Sequence, residues 1–217
     1  MRKSKKIGLI IFVFTIIILI TISALFIIKK NKDLTYSMYK DINNSQNYTI
    51  TMEVKDEEYN YNIVLAQRGT DICIDMKAEY EDETQRTSTL ITEESAYYIM
   101  HNEQEYIILD SQDIEADILI PEIKDIEGKT YQKGKEIIRG KTYYYEEYED
   151  INTFLMLVDV DEEEIVKTRF YYDKGKIVYI KNIVEKEDNT IQEVLKVKCV
   201  YDAEASLFEI PEDYAEI

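Results

Sequence analysis

The side chains able to do covalent or metal chemistry are few: one histidine, His101, and two cysteines, Cys73 and Cys199, among 44 Asp and Glu and 26 Lys and Arg. A His-based dyad or triad would have to use His101. It closes the apolar run Ala96–His101 and precedes Asn102, Glu103 and Gln104, so it reads as a surface turn residue. A zinc site needs several His, Cys or carboxylate ligands converging on one point. Neither cysteine is near His101 in sequence, and strand parity sets the two on opposite faces, Cys73 with Asp75 and Lys77, Cys199 with Leu195, Val197 and Tyr201. Opposite faces also preclude disulfide geometry, so both are expected as free thiols. Asp159-Val160-Asp161-Glu162-Glu163-Glu164 is rich in oxygen ligands but lacks the glycine and the spaced final Glu of a calcium-binding loop, and it reads as a solvated loop. Six glycines scattered singly build no phosphate cradle. The expectation is no enzyme, no metal and no cofactor.

The chemistry that the pattern does support is apolar binding. Tyr61, Ile63 and Leu65 recur at every second position, and Ile72, Ile74 and Met76 do the same after a short break. Tyr48, Ile50, Met52 and Val54 alternate in the same way with Thr49, Thr51, Glu53 and Lys55. Period-two alternation marks antiparallel strands with one greasy and one wet face. A greasy face of large side chains must be covered by a helix, a second sheet, a partner or a lipid. Tyr61, Ile63, Leu65, Ile72, Ile74 and Met76 are therefore the candidate ligand-binding residues, each equally explicable as plain core.

Eleven strands are expected from this patterning and its polar breaks: 48–55, 59–67, 72–80, 84–92, 96–101, 105–110, 131–139, 141–149, 165–172, 176–186 and 190–201. Leu34, Met38 and Ile42 at four-residue spacing predict a short helix over 33–47, ended by Asn43, Asn44 and Ser45. Ser111 to Ile126 breaks the strand rhythm around Pro121 and suggests a helical turn or lid, whereas Ile151 to Val160 fits either a buried strand or a short helix. The Tyr-rich stretches Tyr143-Tyr144-Tyr145 and Tyr171-Tyr172 read as strand formers.

Ahead of all this lies an apolar run, Ile7 to Ile28, of 22 residues. As a helix at about 1.5 Å per residue it matches a hydrocarbon core of roughly 30 Å. Residues 1–6 form a short basic tail that favours the inside. The expected layout is a cytoplasmic tail (1–6), an uncleaved transmembrane anchor (7–28) and one extracytoplasmic domain (33–217) at the cell membrane. Seven of the 26 basic residues precede Asp33, which leaves 19 against 44 carboxylates and a domain charge of about −25. Such a surface excludes nucleic-acid binding through a basic patch.

Three segments of the second half carry a resemblance: Gly140-Lys141-Thr142-Tyr143-Tyr144-Tyr145-Glu146, the hairpin Phe170-Tyr171-Tyr172-Asp173-Lys174-Gly175, and the ending Ser206-Leu207-Phe208-Glu209-Ile210-Pro211-Glu212-Asp213-Tyr214. Through them the chain resembles the lipoprotein-carrier (LolA-like) superfamily, including the membrane-anchored outer-membrane lipoprotein-sorting-like proteins of Gram-positive bacteria. The resemblance implies a mainly β (α+β) fold, a curved antiparallel sheet forming an incomplete barrel whose concave face is closed by short helical lid segments and holds acyl chains. The expected function is non-enzymatic binding of a lipid or lipoprotein acyl chain. The alternative is an envelope protein-interaction or sensing module with a packed core.

Overall fold

The computed structural model describes residues 33–55, 59–80, 83–109, 123–151, 164–186 and 189–217. The basic tail, the anchor, the acidic run at 159–163 and most of the Ser111–Ile126 and Ile151–Val160 segments lie outside the described residues. No helix among the described residues is long and apolar enough to cross a membrane.

The chain enters through Asp33, whose carboxylate accepts from the Tyr36 amide at 2.7 Å and so caps α1 (Leu34–Ser45). The helix stops at Gln46, which takes a left-handed conformation at φ 47°. Its buried residues are Thr35, Met38, Tyr39 and Ile42, one face at helical spacing.

Twelve strands follow among the described residues: β1 (Asn47–Lys55), β2 (Tyr59–Arg68), β3 (Asp71–Tyr80), β4 (Glu83–Ile91), β5 (Ala96–Met100), β6 (Glu105–Leu109), β7 (Gln132–Ile138), β8 (Lys141–Glu149), β9 (Ile165–Asp173), β10 (Lys176–Glu185), β11 (Thr190–Val200) and β12 (Ala215–Glu216). They form one open, curved sheet in the order β12-β6-β5-β4-β3-β2-β1-β11-β10-β9-β8-β7. Two antiparallel meanders, β1–β6 and β7–β11, are therefore joined where β1 meets β11. β12 adds in parallel beyond β6.

Register fixes the faces. Ile50 lies opposite Leu65 and Cys199, Met52 opposite Ile63 and Val197, and Leu65 opposite Ile74. These residues share the inner face, on which α1 packs, and they join Phe170, Tyr172, Ile180 and Leu195 in the main core. The segment before β7 contributes a 3-10 turn, Ile123–Asp125, tied to α1 by the Ile123 amide donating to Asn43 Oδ1 at 2.7 Å, and it buries Ile126 in the same core.

The outer face departs from expectation. Cys73, expected on a wet face with Asp75, is 2% exposed and packs in a second, smaller core with Ala66, Leu90, Ala203 and Phe208. Parity gives the right side of the sheet and the wrong solvent exposure. After β11 the chain turns back across β2–β4, and Leu207, Phe208 and Ile210 cover what alternation alone presents as exposed.

Candidate functional site

The pairing between β10 and β11 begins only at Tyr179 opposite Lys196. A bulge in β10 between Ile177 and Tyr179 shifts its register against β9, and ahead of Tyr179 the β9–β10 hairpin, still beside β8, is not paired with β11. β11 runs on past this point, with Val197, Lys198, Cys199 and Val200 paired to β1 alone. Bulges bend the strand that carries them. The bend opens a cleft between the hairpin tip, the end of β11 and α1.

That cleft has a volume of about 800 Å³. Leu34 and Met38 from α1, Tyr172 and Ile177 from the hairpin, and Val197 and Cys199 from β11 supply its apolar lining. Its polar lining includes Asp41 on α1 and Lys174, Lys176 and Lys198 on the hairpin and β11. Burial pushes the Cys199 thiol up to about 11, only partly offset by a hydrogen bond from Tyr201. Cys73 is raised to about 12, again by burial first. Both are free and protonated at neutral pH, which makes them weak nucleophiles.

One wall of the cleft is held by a buried acid. Glu146 on β8 is 0% exposed. Its carboxylate accepts from the amides of Leu34 and Thr35 at 3.2 and 2.9 Å and from the Thr35 hydroxyl at 2.8 Å. It therefore satisfies the first orphan N–H groups of α1, where the helix dipole favours negative charge. The Tyr172 hydroxyl donates to Thr35 Oγ1 at 2.8 Å, and the Tyr148 hydroxyl donates to Asp33. Burial raises the Glu146 pKa above 4.5 against the lowering effect of the Thr35 and Leu34 hydrogen bonds.

The six residues singled out from the sequence sit together as expected, on the inner face of β2 and β3. Ile63, Leu65 and Ile74 are buried in the main core, with Tyr61, Ile72 and Met76 half-buried against it. None of the six lines the large cleft. Alternation marks the inner face as a whole, whereas the cleft lies at other strands of that face, where a bulge in β10 and strand ends shape it.

His101 is in a turn, as expected, but it is half-buried and bonded on both ring nitrogens. Ser88 Oγ donates to Asp75 at 3.0 Å and meets His101 Nε2 at 2.7 Å, while Nδ1 meets the Tyr214 hydroxyl at 3.0 Å. The serine proton is directed at Asp75, so the imidazole holds Nε2–H and does not activate the hydroxyl. Arg86 completes the chain with two bonds to Asp75 at 2.9 and 3.0 Å. The network straps the C-terminal segment to β4.

Burial first, then Arg86, lower the His101 pKa from 6.5, with Asp75 opposing. The unfolded chain thus binds a proton near 6.5 while the folded one resists it. Stability is full above that pH and falls as pH drops from 6.5 toward the lower folded value. Melting temperature should fall over that window, and His101→Gln should abolish this component. Glu136, whose burial is outweighed by hydrogen bonds from Tyr171, Lys181 and Arg169 that hold it at about 2, loses its contribution only below the ordinary value of 4.5, so the two effects separate in a pH titration.

On the outer face, Glu136 accepts from Arg169, Tyr171 and Lys181 at 2.7, 2.6 and 2.9 Å, and Arg169 also pairs with Glu147 and stacks on Tyr145. Tyr145 in turn lies over Gly134, where a β-carbon would collide with its ring. Glu136, Glu147, Arg169, Tyr171 and Lys181 are bonded to one another, so the cluster holds β7 to β8, β9 and β10. Among the described residues no group of three or more His, Cys, Asp or Glu converges as a metal site.

Comparison with protein-family models and with curated proteins returns no match. Among solved structures, the chain is similar to the crystal structure of an uncharacterized conserved protein from Thermus thermophilus, at TM-score 0.47 and 10% identity over 84% of this chain and 96% of that one.

Proposed function

We propose that this chain is a non-enzymatic, membrane-anchored extracytoplasmic domain that binds an apolar ligand, a lipid or a lipoprotein acyl chain, beneath α1. The observation that carries this reading is the cleft of about 800 Å³ with an apolar lining from α1, β9–β10 and β11. Its volume falls within the roughly 300–1,000 Å³ of small-molecule sites. Burial at about 0.8 kcal/mol per CH₂ makes half an acyl chain worth several kcal/mol before ordering costs. The half-barrel and lid of the LolA-like resemblance agree with an open curved sheet covered by a helix and a 3-10 turn. The apolar run at 7–28 would tether the domain beside the bilayer, and a tether suits a fixed acceptor or sensor better than a diffusing shuttle.

Full-length protein released from membranes in neutral detergent should carry a lipid-sized mass in native mass spectrometry. Repeated recovery of the bare chain alone would overturn the proposal. One feature favours the alternative, an envelope protein-interaction module: β7 ends the sheet order, and Ile137 on it is 68% exposed. A partner strand could add there.

A further inference from the structure

The sheet is open, and its two ends differ. Its strand order begins at β12 and stops at β7, so each of these has a strand neighbour on one side alone among the described residues. A bare edge offers backbone groups to any strand that can reach it. The two most exposed large apolar side chains among the described residues mark these ends, Ile137 on β7 at 68% and Ile217 just past β12 at 63%. On β12 the amides of Ala215 and Ile217 donate to the Gln104 and Tyr106 carbonyls at 3.0 and 3.1 Å. Backbone groups alternate in direction along a strand, so those of Glu216, between the two, point to the open side.

Charge sets the two ends apart. Glu212, Asp213 and Glu216 are exposed at the β12 end, held there by the Tyr214 hydroxyl on His101, and none of the three has an ion pair among the described residues. On β7, Lys133 and Lys135 are exposed. Lys133 lies 3.8 Å from Glu146, and Lys135 has no ion pair among the described residues. The one acid of β7, Glu136, is already taken by Arg169, Tyr171 and Lys181. At β7, therefore, a domain of about −25 formal charge turns basic. Like charges set opposite each other destabilise strand pairing. Two β7 edges would bring lysines together and two β12 edges would bring carboxylates together, whereas β7 against β12 joins unlike charges. Direction agrees with this. An even number of antiparallel steps separates β7 from β6, and β12 is parallel to β6, so a copy in the same orientation brings its β12 alongside β7 in parallel.

We propose that this chain binds a second copy of itself head to tail, β7 of one copy adding to the β12 end of the next. Lys133 and Lys135 then meet Glu212, Asp213 and Glu216 of the next copy, and Ile137 and Ile217 leave water together. Each joined pair keeps one free end of either kind, so the contact extends into rows instead of closing as a dimer. The association is independent of what the cleft binds.

The test mixes unlabelled and nitrogen-15-labelled full-length protein in phosphatidylcholine vesicles and treats them with a zero-length carbodiimide, which joins lysines to carboxylates. Cross-linked peptides of mixed isotope come from two copies, and they should join Lys133 or Lys135 to Glu212, Asp213 or Glu216. Their absence in the wild type, or a predominance of other intermolecular pairs, would overturn the proposal whether or not a variant folds. Energy transfer between donor-labelled and acceptor-labelled copies gives the second reading. Lys135→Glu alone, or Glu212→Lys with Asp213→Lys and Glu216→Lys, should lower it about fivefold, as the loss of a few exposed charge pairs implies, with melting temperature unchanged. Mixing the two variants should restore it, because the altered β7 of one then faces the altered β12 end of the other. Folded variants that associate like the wild type, or a mixture that stays apart, would overturn the head-to-tail contact.

Discussion

Glu146→Ala is expected to lower stability by about 3 kcal/mol or more, the range in which breaking a buried charged network falls. The carboxylate is fully buried and receives three hydrogen bonds from Leu34 and Thr35. Removing it strands two amides and a hydroxyl at roughly 1–3 kcal/mol for an unsatisfied buried group, and it opens a void beside Tyr172. A helix as short as α1 does not persist without tertiary support. Met38, Tyr39 and Ile42 should therefore loosen from the core together, and the wall of the cleft should go with them. Glu146→Gln keeps an acceptor for one donor but turns an NH₂ toward the others, and should lie between, at about 1–2 kcal/mol. Urea denaturation measures the loss, and amide exchange over 34–45 localises it. A change in Glu146→Ala under about 0.5 kcal/mol would show that α1 docks without this residue.

Leu65→Gln is expected to cost about 3 kcal/mol with no specific effect on cleft binding, since the substitution loses packing and strands an amide in an apolar core. Leu65 is 2% exposed, faces Ile50 and Ile74 across the register, and does not line the cleft. Lys77→Gln, on the outer face of β3 with its ammonium in a half-exposed pair with Glu79, should change stability by less than about 0.5 kcal/mol. Melting temperature and native mass spectrometry of the detergent-released protein distinguish the cases. If Leu65→Gln lost the lipid-sized mass in molecules that remain folded, the cleft would reach β2. If both substitutions cost the same, the assignment of faces would be wrong.

Local order is well marked in the chain. Eleven of the twelve strands fall within a residue or two of the positions set by alternation and polar breaks, and α1 is where Leu34, Met38 and Ile42 put it. Side-chain alternation and helical spacing are properties of neighbouring residues, so they survive folding wherever one face is buried. β12 is not legible in this way, because two residues, Ala215 and Glu216, carry no period, and their pairing with β6 is decided by the strap through Tyr214 and His101.

The placement of the cleft depends on meetings across long stretches of chain. Glu146 finds Thr35 from 111 positions away, and nothing near either residue announces the other. The second core under Phe208 needs the C-terminal segment to fold back over β2–β4, which turns Cys73 from a surface residue into a buried one. Sequence alone determined the sheet, its two faces, the helix and the acidic surface, because these follow from period and composition. Only the tertiary structure decided which part of the inner face stays open, because a bulge at one strand end and a helix pinned by a distant carboxylate set the space between them.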